Sequence, residues 1–280
     1  MTYIFLMPAI FVFLLLTVYP LFYALNASFQ HGNFFQGTAT YTGFSNYLTV
    51  FKDDLFRIAF KNTIIFVILA VFFETILGLL LAVLFNRKMR YRKILRSIVL
   101  IPMMLPPITV ALTWKMMYEY DYGVLNHMLG WLGIKPIEWI SSTDLALYSI
   151  IFTDIWQWTP FAFLVILANL QSISPELYES AQVDGASAFQ QFKSITLPLV
   201  KTGIYLVVLL RTIDSFRVFD KVYVLTGGGP GHATETLSFY IYRQGFSYFD
   251  LGLSAASAIV MVGFILIVSM FYIRSALKSG

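Results

Sequence analysis

Runs of apolar residues long enough to cross a bilayer alternate with polar connections along the chain. A hydrocarbon core of about 30 Å requires roughly 20 apolar residues in an α-helix. The runs that reach this length are 3–25, 63–85, 97–118, 147–170, 199–223 and 251–273. We therefore predict an all-α integral membrane protein, in which residues 1–280 form a single transmembrane domain with six transmembrane helices.

Two of these runs carry residues that an uninterrupted apolar helix rarely has. The third contains Pro102, Pro106 and Pro107, and we expect this helix to be kinked or broken because proline removes a backbone donor. The fifth is the least apolar, so we expect it to face the bundle interior or a water-filled cavity. Its charged residues are Lys201, Arg211, Asp214, Arg217, Asp220 and Lys221.

The composition supports a membrane protein and excludes other classes. Apolar residues make up 58% of the sequence and charged residues 12%, about half the charged share of a soluble domain. The sequence has no cysteine, which excludes disulfides and thiolate metal sites, and its three histidines are far apart. The net charge of +4 comes from basic residues beside the apolar runs, which indicates membrane orientation and not nucleic-acid binding.

Lysine and arginine are concentrated on one side of the predicted bundle. The connection after the second run holds Arg87, Lys88, Arg90, Arg92, Lys93 and Arg96. Lys193, Lys201, Arg274 and Lys278 fall on the same side. The positive-inside rule then places both termini in the cytoplasm. The connections at about 26–62, 119–146 and 224–250 are expected outside.

A polar segment at 171–200, between the fourth and fifth runs, carries the signals of two short helices. Ser174 is a plausible N-cap, Pro175 fits the first helical position and Glu176 lies in the first turn. Gly185 is typical of a helix C-terminus. The second helix is predicted to begin near Ser187, to present Phe189 and Phe192 on one side and to end before Pro198.

The same segment contains a spaced sequence signature. The matching positions are Glu179, Ala181, Gly185, Ile195, Leu197 and Pro198. They resemble the coupling-loop signature of ATP-binding-cassette importer permeases, E-A-A, three residues, Gly, nine residues and I-x-L-P, with Ser180 replacing one small residue by another. Further stretches are similar to the carbohydrate branch of these permeases. They are 122–126, 156–161, 219–230 and 234–246.

The resemblance implies a cytoplasmic coupling helix between the fourth and fifth spans, within a coupling loop at 171–198. The implied ATPase-coupling residues are Tyr178, Glu179, Ser180, Ala181, Asp184, Gly185, Ala186, Phe189 and Pro198. It also implies a second homologous permease subunit, two copies of a cytoplasmic ATPase subunit, an external solute-binding protein and a sugar substrate, in a prokaryotic inner membrane. By the same resemblance this chain is not an enzyme and binds no cofactor, because the partner ATPase uses the ATP and magnesium.

The spans beside this loop carry polar and aromatic residues at one-face helical spacing. They are Asp154, Gln157, Trp158 and Phe161 in the fourth, and Arg211, Asp214, Ser215 and Val218 in the fifth. We expect them to line a substrate pathway, because sugars bind to carboxylates, amides, hydroxyls and aromatic faces. The same residues have two structural explanations. One is intrahelical ion pairing of Arg211 with Asp214 and of Arg217 with Asp220, and the other is interfacial anchoring by Trp156 and Trp158.

Glu74 is an isolated acidic residue near the midplane of the second span. An unpaired carboxylate is costly at this depth, and Arg211 is predicted at a similar depth. A structural pair between Glu74 and Arg211 is favoured over a transport role. In the last span, Ser254, Ala255, Ser257 and Ala258 form a small-residue face suited to close helix packing.

Three other interpretations are weighed against an importer subunit. The first is nucleotide binding by the glycine run at 227–229. This run lacks the Lys-Ser/Thr of a phosphate-binding loop, so a contact with the solute-binding protein or a simple turn is favoured. An ion-coupled secondary carrier of a polar solute is the main alternative, although no internal repeat is visible. An intramembrane enzyme is disfavoured because no catalytic motif appears.

Overall fold

The computed structural model describes residues 2–32, 39–87 and 90–278. Lys88 and the side chain of Lys278, both used above to predict orientation, lie outside this description. The helices are α1 (Thr2–Phe13), α2 (Tyr19–Ala27), α3 (Ser45–Lys52), α4 (Asp54–Asn86), α5 (Arg92–Met104), α6 (Pro107–Met117), α7 (Val124–Trp131), α8 (Ala146–Gln171), α9 (Pro175–Val183), α10 (Ala188–Gln191), α11 (Leu197–Ser215), α12 (Asp220–Leu225), α13 (Leu237–Tyr242) and α14 (Leu251–Lys278). Single π-helical turns lie at Leu14–Val18, Phe192–Thr196 and Arg243–Ser247.

In the residues that the structure describes, the fold is helical with one minimal strand pair. Strands β1 (Gln30–His31) and β2 (Thr40–Tyr41) pair antiparallel, with Gln30 opposite Tyr41. Within the described ranges, five helical segments are long and apolar enough to cross a membrane, and a bent pair raises the number to six if it forms one span. The five segments are Leu6–Ala27, Asp54–Asn86, Ala146–Gln171, Ala188–Ser215 and Leu251–Arg274.

The bent pair is the predicted third span, and it is broken. α5 and α6 meet at an angle of 95°. Pro106 and Pro107 follow Leu105, whose backbone is extended, so the helical hydrogen-bond ladder stops there. The predicted kink or break is therefore confirmed, and its angle is large enough for a re-entrant segment.

The second span begins nine residues earlier than predicted, at Asp54 instead of position 63. Asp53 caps this helix, since its carboxylate accepts a hydrogen bond from the Leu55 N–H at 2.8 Å. At 1.5 Å per residue, the 33 residues of α4 extend about 50 Å, well beyond a hydrocarbon core. The apolar pattern marks only the part of the helix that is at membrane depth.

The fifth span differs from its prediction at both ends. It is continuous from Ala188 to Ser215, so the expectation that a short helix ends before Pro198 is wrong. A π-helical turn precedes the proline, and the Leu197 N–H reaches back five residues to the Phe192 carbonyl, which accommodates the ring without a break. The span also ends at Ser215 instead of position 223, and α12 is a separate helix.

α4 and α8 pack closely at the centre of the molecule. A side chain at Gly78 would place its Cβ 2.5 Å from the Ala162 Cβ, so only glycine permits this approach. At the interface of α8 with α11, a Cβ at Gly203 would stand 2.6 Å from the Asn169 Nδ2. Buried apolar side chains fill the space around these contacts, among them Phe163, Ile166 and Val207.

α14 packs through its small-residue face as predicted. Ser257 is buried, while Ser254, Ala255 and Ala258 are half-buried. The Ser254 hydroxyl donates to the Ile241 carbonyl at 2.9 Å. The first span is different, because its apolar window contains no buried residue, and its side chains face lipid or another chain.

Candidate functional site

Six charged side chains form a cluster where α4, α8, α11 and the start of α12 meet. The members of this six-charge cluster are Glu74, Asp154, Arg211, Asp214, Arg217 and Lys221. Three carboxylates are matched by three cations, so the cluster is neutral as a whole. Ionised groups inside a membrane protein are costly unless they are paired, and here each one is paired.

Arg211 is the centre of this cluster and is almost fully buried. Its Nε donates to Glu74 Oε2 at 2.6 Å and its Nη2 donates to Glu74 Oε1 at 3.0 Å, which is a bidentate pair. Nη2 also lies 2.8 Å from Asp154 Oδ2, and Nη1 lies 2.5 Å from Asp214 Oδ2. The guanidinium stacks over the Trp158 ring, 4.8 Å from its centroid. The predicted Glu74–Arg211 pair is confirmed.

Two further ion pairs extend the cluster. Lys221 Nζ lies 2.5 Å from Asp154 Oδ1, with both side chains buried. Arg217 Nη2 lies 3.2 Å from Asp214 Oδ1. The predicted pair of Arg211 with Asp214 is therefore present, whereas Arg217 pairs with Asp214 and not with Asp220. The reason is that α11 ends at Ser215, so positions 217 and 220 are not one turn apart on a helix.

A cavity of about 100 Å³ borders the six-charge cluster. Six of the eight predicted pathway residues line it: Asp154, Trp158, Arg211, Asp214, Ser215 and Val218. The pattern-based prediction missed Pro107, Arg217, Phe219, Asp220 and Lys221, which also line it. The charged residues were visible in the sequence, but the prediction extended the fifth span through them as one straight helix. Pro107 enters the cavity wall because of the break between α5 and α6. The only sequence signal for that break is the proline pair Pro106 and Pro107.

Gln157 and Phe161 do not line this cavity. Phe161 is half-buried, one turn beyond Trp158. Gln157 is fully buried on an adjacent face of α8, where its Nε2 donates to the Leu105 carbonyl at 3.0 Å. That carbonyl lies at the break between α5 and α6, so Gln157 satisfies an acceptor that the prolines leave free. The placement of these two residues in the cavity wall is therefore wrong.

Trp156 and Trp158 have different surroundings. Trp158 contacts the buried Arg211, so interfacial anchoring does not describe its position. Trp156 is 39% exposed and packs edge-to-face on Trp114, with ring centroids 5.6 Å apart. Its partly open indole at the edge of the α6–α8 contact is compatible with an anchoring role.

The 171–198 loop consists of α9 and the first turns of the fifth span, and its ends are firmly defined. Gly185 has φ of +79°, and the N–H groups of Gly185 and Ala186 donate to Gln182 and Ala181 carbonyls at 3.0 and 2.8 Å. This is a Schellman C-terminus, as Gly185 predicted. Ser187 and Gln190 form a reciprocal capping box at the start of α10. Ser174 occupies the N-cap position of α9, but its side chain makes no capping hydrogen bond.

Most of the residues predicted to couple to an ATPase are exposed in this loop. Glu179, Ser180, Asp184, Gly185, Phe189 and Pro198 are exposed, and Tyr178, Ala181 and Ala186 are half-buried. The apolar side chains of Val183 and Phe189 are 88% and 72% exposed. They lie beside the carboxylates of Glu179 and Asp184, neither of which forms an ion pair with a residue that the structure describes. Exposed apolar groups next to such carboxylates are typical of a surface that another protein covers.

One hydrogen bond ties α9 to the fifth span. The Tyr178 hydroxyl lies 2.9 Å from the Thr196 Oγ1, in the π-helical turn that precedes Pro198. A groove of about 370 Å³ lies beside this contact, between Tyr178, Phe192 and the end of α4 at Asn86. Displacement of α9 would therefore act directly on the base of the helix that carries Arg211.

The glycine loop at 226–236 is rigidly held on the opposite side of the bundle. Gly227 and Gly228 have φ of +58° and +84°. The Asn62 amide donates to the carbonyls of His232, Ala233 and Glu235 at 3.0–3.2 Å. Burial raises the pKa of the Glu235 carboxyl, and Arg243, 2.7 Å away, opposes that shift. This loop is a fixed turn, and nothing in its contacts resembles a phosphate site.

Metal binding has no structural support in the described part of the chain, where no group of three or more His, Cys, Asp or Glu is arranged to hold an ion. The three acidic members of the six-charge cluster are occupied by arginine and lysine. Its chemistry is therefore that of a neutralised polar wall beside a small cavity.

Known proteins resemble this chain along nearly its whole length. The trehalose/maltose transport system permease protein MalF of Thermococcus litoralis is 41% identical over 268 residues, 95% of this chain and 90% of that protein. A bacterial ABC transporter involved in the import of the acidic polysaccharide alginate has a chain of 28% identity that superposes with a TM-score of 0.89, covering 99% of this chain and 95% of the other.

A second solved structure shows a bacterial alginate ABC transporter in complex with its alginate pentasaccharide-bound periplasmic protein. Its matching chain is 29% identical, with a TM-score of 0.85 over 97% of this chain and 92% of the other. A family model described as "Binding-protein-dependent transport system inner membrane component" matches residues 74–277. These residues include α8, the 171–198 loop and the six-charge cluster, and the chain belongs to this family of inner membrane transport components.

Proposed function

We propose that this chain is one membrane subunit of an ATP-driven importer that takes up a sugar delivered by an external solute-binding protein. The observation that carries the proposal is the exposed 171–198 loop, which presents α9 and α10 for docking and is joined by Tyr178 to the helix that carries Arg211. Support for a sugar comes from relatives named for trehalose, maltose and alginate. The chain would lie in a prokaryotic inner membrane with six spans, counting α5 and α6 as one, and with both termini cytoplasmic.

The 171–198 loop is assigned as the surface for a cytoplasmic ATPase subunit. A rigid helix fits this role better than a flexible strand, because only a rigid element transmits displacement. The Schellman end and the capping box fix both helices of the loop. A second homologous permease subunit would carry the same kind of loop, so the complete transporter would hold two ATPase copies. The unburied face of the first span leaves room for lipid or for that second permease.

A crosslinking experiment tests this assignment. The sequence contains no cysteine, so Val183→Cys gives a single thiol on the exposed face of α9. Ile134→Cys is the matched control, because this residue is also exposed and belongs to the 119–146 connection, which we expect on the opposite side of the membrane. In the assembled transporter, a thiol crosslinker should join the first variant, and not the control, to the subunit that binds and hydrolyses ATP. Crosslinking from position 134, or labelling of position 183 from outside the cell, would contradict the assignment.

The cavity beside the six-charge cluster is assigned to the substrate pathway. Trp158 and Phe219 offer aromatic surface, and the Asp214 side chain is 44% exposed although both of its oxygens accept hydrogen bonds from arginines. Because a carboxylate oxygen can accept more than one hydrogen bond, a sugar hydroxyl could still bind there. The present cavity is smaller than a sugar ring needs. Rigid-body movement of two permease bundles around this point would open it alternately to each side.

Substitutions at the cavity separate a pathway role from simple charge neutralisation. Asp214→Asn keeps a hydrogen-bonding side chain of the same size, and Asp54→Asn is the control because that carboxylate is 90% exposed and far from the cavity. With equal amounts of both variants in the membrane, Asp214→Asn should lower sugar uptake while ATP hydrolysis persists. Equal uptake by both variants would leave Asp214 with a structural role only.

The alternative of an ion-coupled carrier predicts a different energy source. In proteoliposomes without an ion gradient, the assembled importer should accumulate sugar only when ATP is supplied on the side of the 171–198 loop. Uptake by this chain alone, driven by a proton or sodium gradient, would favour the carrier.

A further inference from the structure

Four aromatic side chains form a continuous row that begins at the wall of the cavity beside the six-charge cluster. Phe219, immediately before α12, lines that cavity. The centroid of its ring lies 5.4 Å from that of Tyr223 and 4.9 Å from that of Tyr242. The Tyr242 ring in turn stacks on the ring of Phe246, with centroids 5.3 Å apart. We call these four residues the aromatic row.

Two chain segments build the row, and each contributes a pair of rings four residues apart. Phe219 and Tyr223 belong to the start and the body of α12, and Tyr242 and Phe246 lie where α13 continues into its π-helical turn. Rings at this spacing lie on the same side of a helical segment. The two pairs meet at Tyr223 and Tyr242, whose ring centroids are 5.7 Å apart.

The row follows the exposed face of α12. Tyr223 is 51% exposed and lies three residues after Asp220, which lines the cavity, so the two side chains share a face of the helix. The opposite face is buried at Val222 and Leu225. Phe246, at the far end of the row, is 70% exposed and belongs to the 224–250 connection, which we expect outside the membrane. The row therefore joins the external connection to the cavity.

Exposed charges beside the row argue against a lipid-facing surface. Arg217 lies two residues before Phe219, and its side chain is 62% exposed. The side chain of its partner Asp214 is 44% exposed. Ionised groups in membrane proteins face the bundle interior or a water-filled cavity, so the side of the molecule that carries these two residues is part of a polar pathway.

A saccharide has the chemistry that fits rings of this kind. The C–H face of a sugar ring packs on an aromatic ring, and its hydroxyl groups need polar partners. Tyrosine provides both an apolar ring and a polar hydroxyl. The neighbouring Tyr223 raises the pKa of the Tyr242 phenol, which indicates that the two hydroxyl groups are close together. Rings at regular spacing would let a sugar pass from one to the next through contacts of similar strength.

We propose that the aromatic row is an entry path that binds a saccharide by its ring faces and guides it from the outer surface to the cavity. This rests on the proposed function, because it takes the cavity as part of a sugar pathway. It adds Tyr223, Tyr242 and Phe246 to that pathway, and none of them belongs to the pathway residues predicted from the sequence.

The test measures sugar uptake by the assembled transporter in proteoliposomes, with loaded solute-binding protein outside and ATP on the side of the 171–198 loop. Maltose and trehalose are the probes, because a relative is named for both. Tyr223→Leu with Phe246→Leu removes two ring faces and keeps apolar side chains. Tyr223→Phe with Phe246→Tyr keeps both rings. Phe271→Leu is the control, because that ring is 69% exposed near the other end of α14.

The leucine double variant should take up sugar about tenfold more slowly, as expected when two aromatic contacts are lost. Its ATP hydrolysis, stimulated by the loaded solute-binding protein, should persist, which shows that the complex is assembled. The variant that keeps both rings and the Phe271 control should take up sugar at nearly the original rate. Equal uptake by the leucine variant and the original protein would overturn the proposal. An equal loss in the variant that keeps both rings would also overturn it, because ring faces would then not be what matters.

A second measurement does not depend on which sugar is carried. Because the sequence contains no cysteine, Phe246→Cys gives a single thiol, which should react with a membrane-impermeant maleimide added outside. Reaction with a lipid-soluble maleimide alone would place the row against lipid and overturn the proposal. Uptake by the original protein without ATP would contradict the proposed importer, whereas the comparison of variants would still decide the role of the row.

Discussion

Replacing Arg211 should destabilise the protein far more than replacing its partner Glu74. Arg211→Gln leaves Glu74, whose side chain is fully buried, without any cation and gives the six-charge cluster a net negative charge. Removal of one member of a buried pair costs about 3–5 kcal/mol, because the other charge stays buried. Glu74→Gln leaves Arg211 paired with Asp154 and Asp214 at 2.8 and 2.5 Å, so we expect a loss of about 1–2 kcal/mol.

The double variant Glu74→Gln with Arg211→Gln should be more stable than Arg211→Gln alone. Its remaining charges form two complete pairs, because Asp154 keeps Lys221 and Asp214 keeps Arg217. We expect recovery of at least about 2 kcal/mol, a coupling energy typical of groups in one buried network. Equilibrium unfolding in mixed detergent and SDS micelles measures these differences, with Asp54→Asn as an exposed carboxylate control.

Exchange of the two charges should not restore the protein, although a simple pair would predict rescue. Glu74→Arg with Arg211→Glu places a new carboxylate against both Asp154 and Asp214. Additive losses in the Glu74/Arg211 double-mutant cycle, or full recovery in the exchanged variant, would show that the six-charge cluster is not a coupled network. The reasoning about its stability would then be refuted.

Three further predictions rest on single residues. Gly78→Val should reduce stability by about 1–3 kcal/mol or prevent folding, since its side chain would overlap Ala162, whereas Gly130→Ala, on an open surface, should unfold like the original protein. Gly185→Ala should lower the free energy of unfolding by about 1 kcal/mol, because Gly185 has a left-handed backbone at the end of α9. Gly185→Asp should in addition abolish assembly with the ATPase subunit, which co-purification would show. Normal transport by the aspartate variant would contradict the coupling role. Burial raises the pKa of the Glu235 carboxyl in the folded protein above its ordinary value of 4.5. The protonated carboxyl therefore contributes fully to the stability of the fold below pH 4.5, and this contribution is lost as the pH rises through the folded-state pKa. Glu235→Gln should therefore reduce the decrease in unfolding temperature that the original protein shows above pH 4.5. An unchanged pH profile for that variant would exclude Glu235 as its source.

The apolar pattern predicted a span accurately where the helix begins and ends with the apolar run that lies in the membrane. The fourth span is bounded at Ala146–Gln171, within one residue of its prediction at each end. The end of α9 at Gly185 and the start of the second helix at Ser187 were also predictable, because glycine and serine define local backbone geometry, whereas Pro198 did not end that helix. These signals come from residues that are close together in the chain, so they can be read from a single sequence.

The arrangement of the six-charge cluster could be predicted only in part. Depth along each helix was enough to suggest that Glu74 meets Arg211. It was not enough to place Lys221, because that residue reaches Asp154 only after the chain turns at 216–219 and restarts as α12. Gln157 was misplaced for a similar reason, since the acceptor that attracts it is created by a break in another helix. Contacts that arise from helix interruptions have no periodic signal.

The position of the six-charge cluster suggests why the protein buries charged groups at membrane depth despite the free-energy cost of removing them from water. A buried ion network stabilises a fold no better than well-packed apolar residues do, so stability alone does not explain charges at this depth. The cluster joins α4 and α8, which pack tightly through Gly78, to α11 and α12, which are connected to α9 through the fifth span. Ion pairs of 2.5–3.2 Å can exchange partners with small movements. At Gly78, in contrast, a Cβ would overlap the α8 backbone itself, whereas at Gly203, between α8 and α11, it would meet only the side chain of Asn169, which can rotate. We therefore expect the α11–α12 side to move against a fixed α4–α8 pair, with Glu74 and Asp154 on the fixed side exchanging the cations of the moving side. Cysteine pairs across each boundary in a transporting complex would test this, because a crosslink between α4 and α8 should leave uptake intact and one between α8 and α12 should stop it. Uptake that survives the second crosslink would place the moving boundary elsewhere.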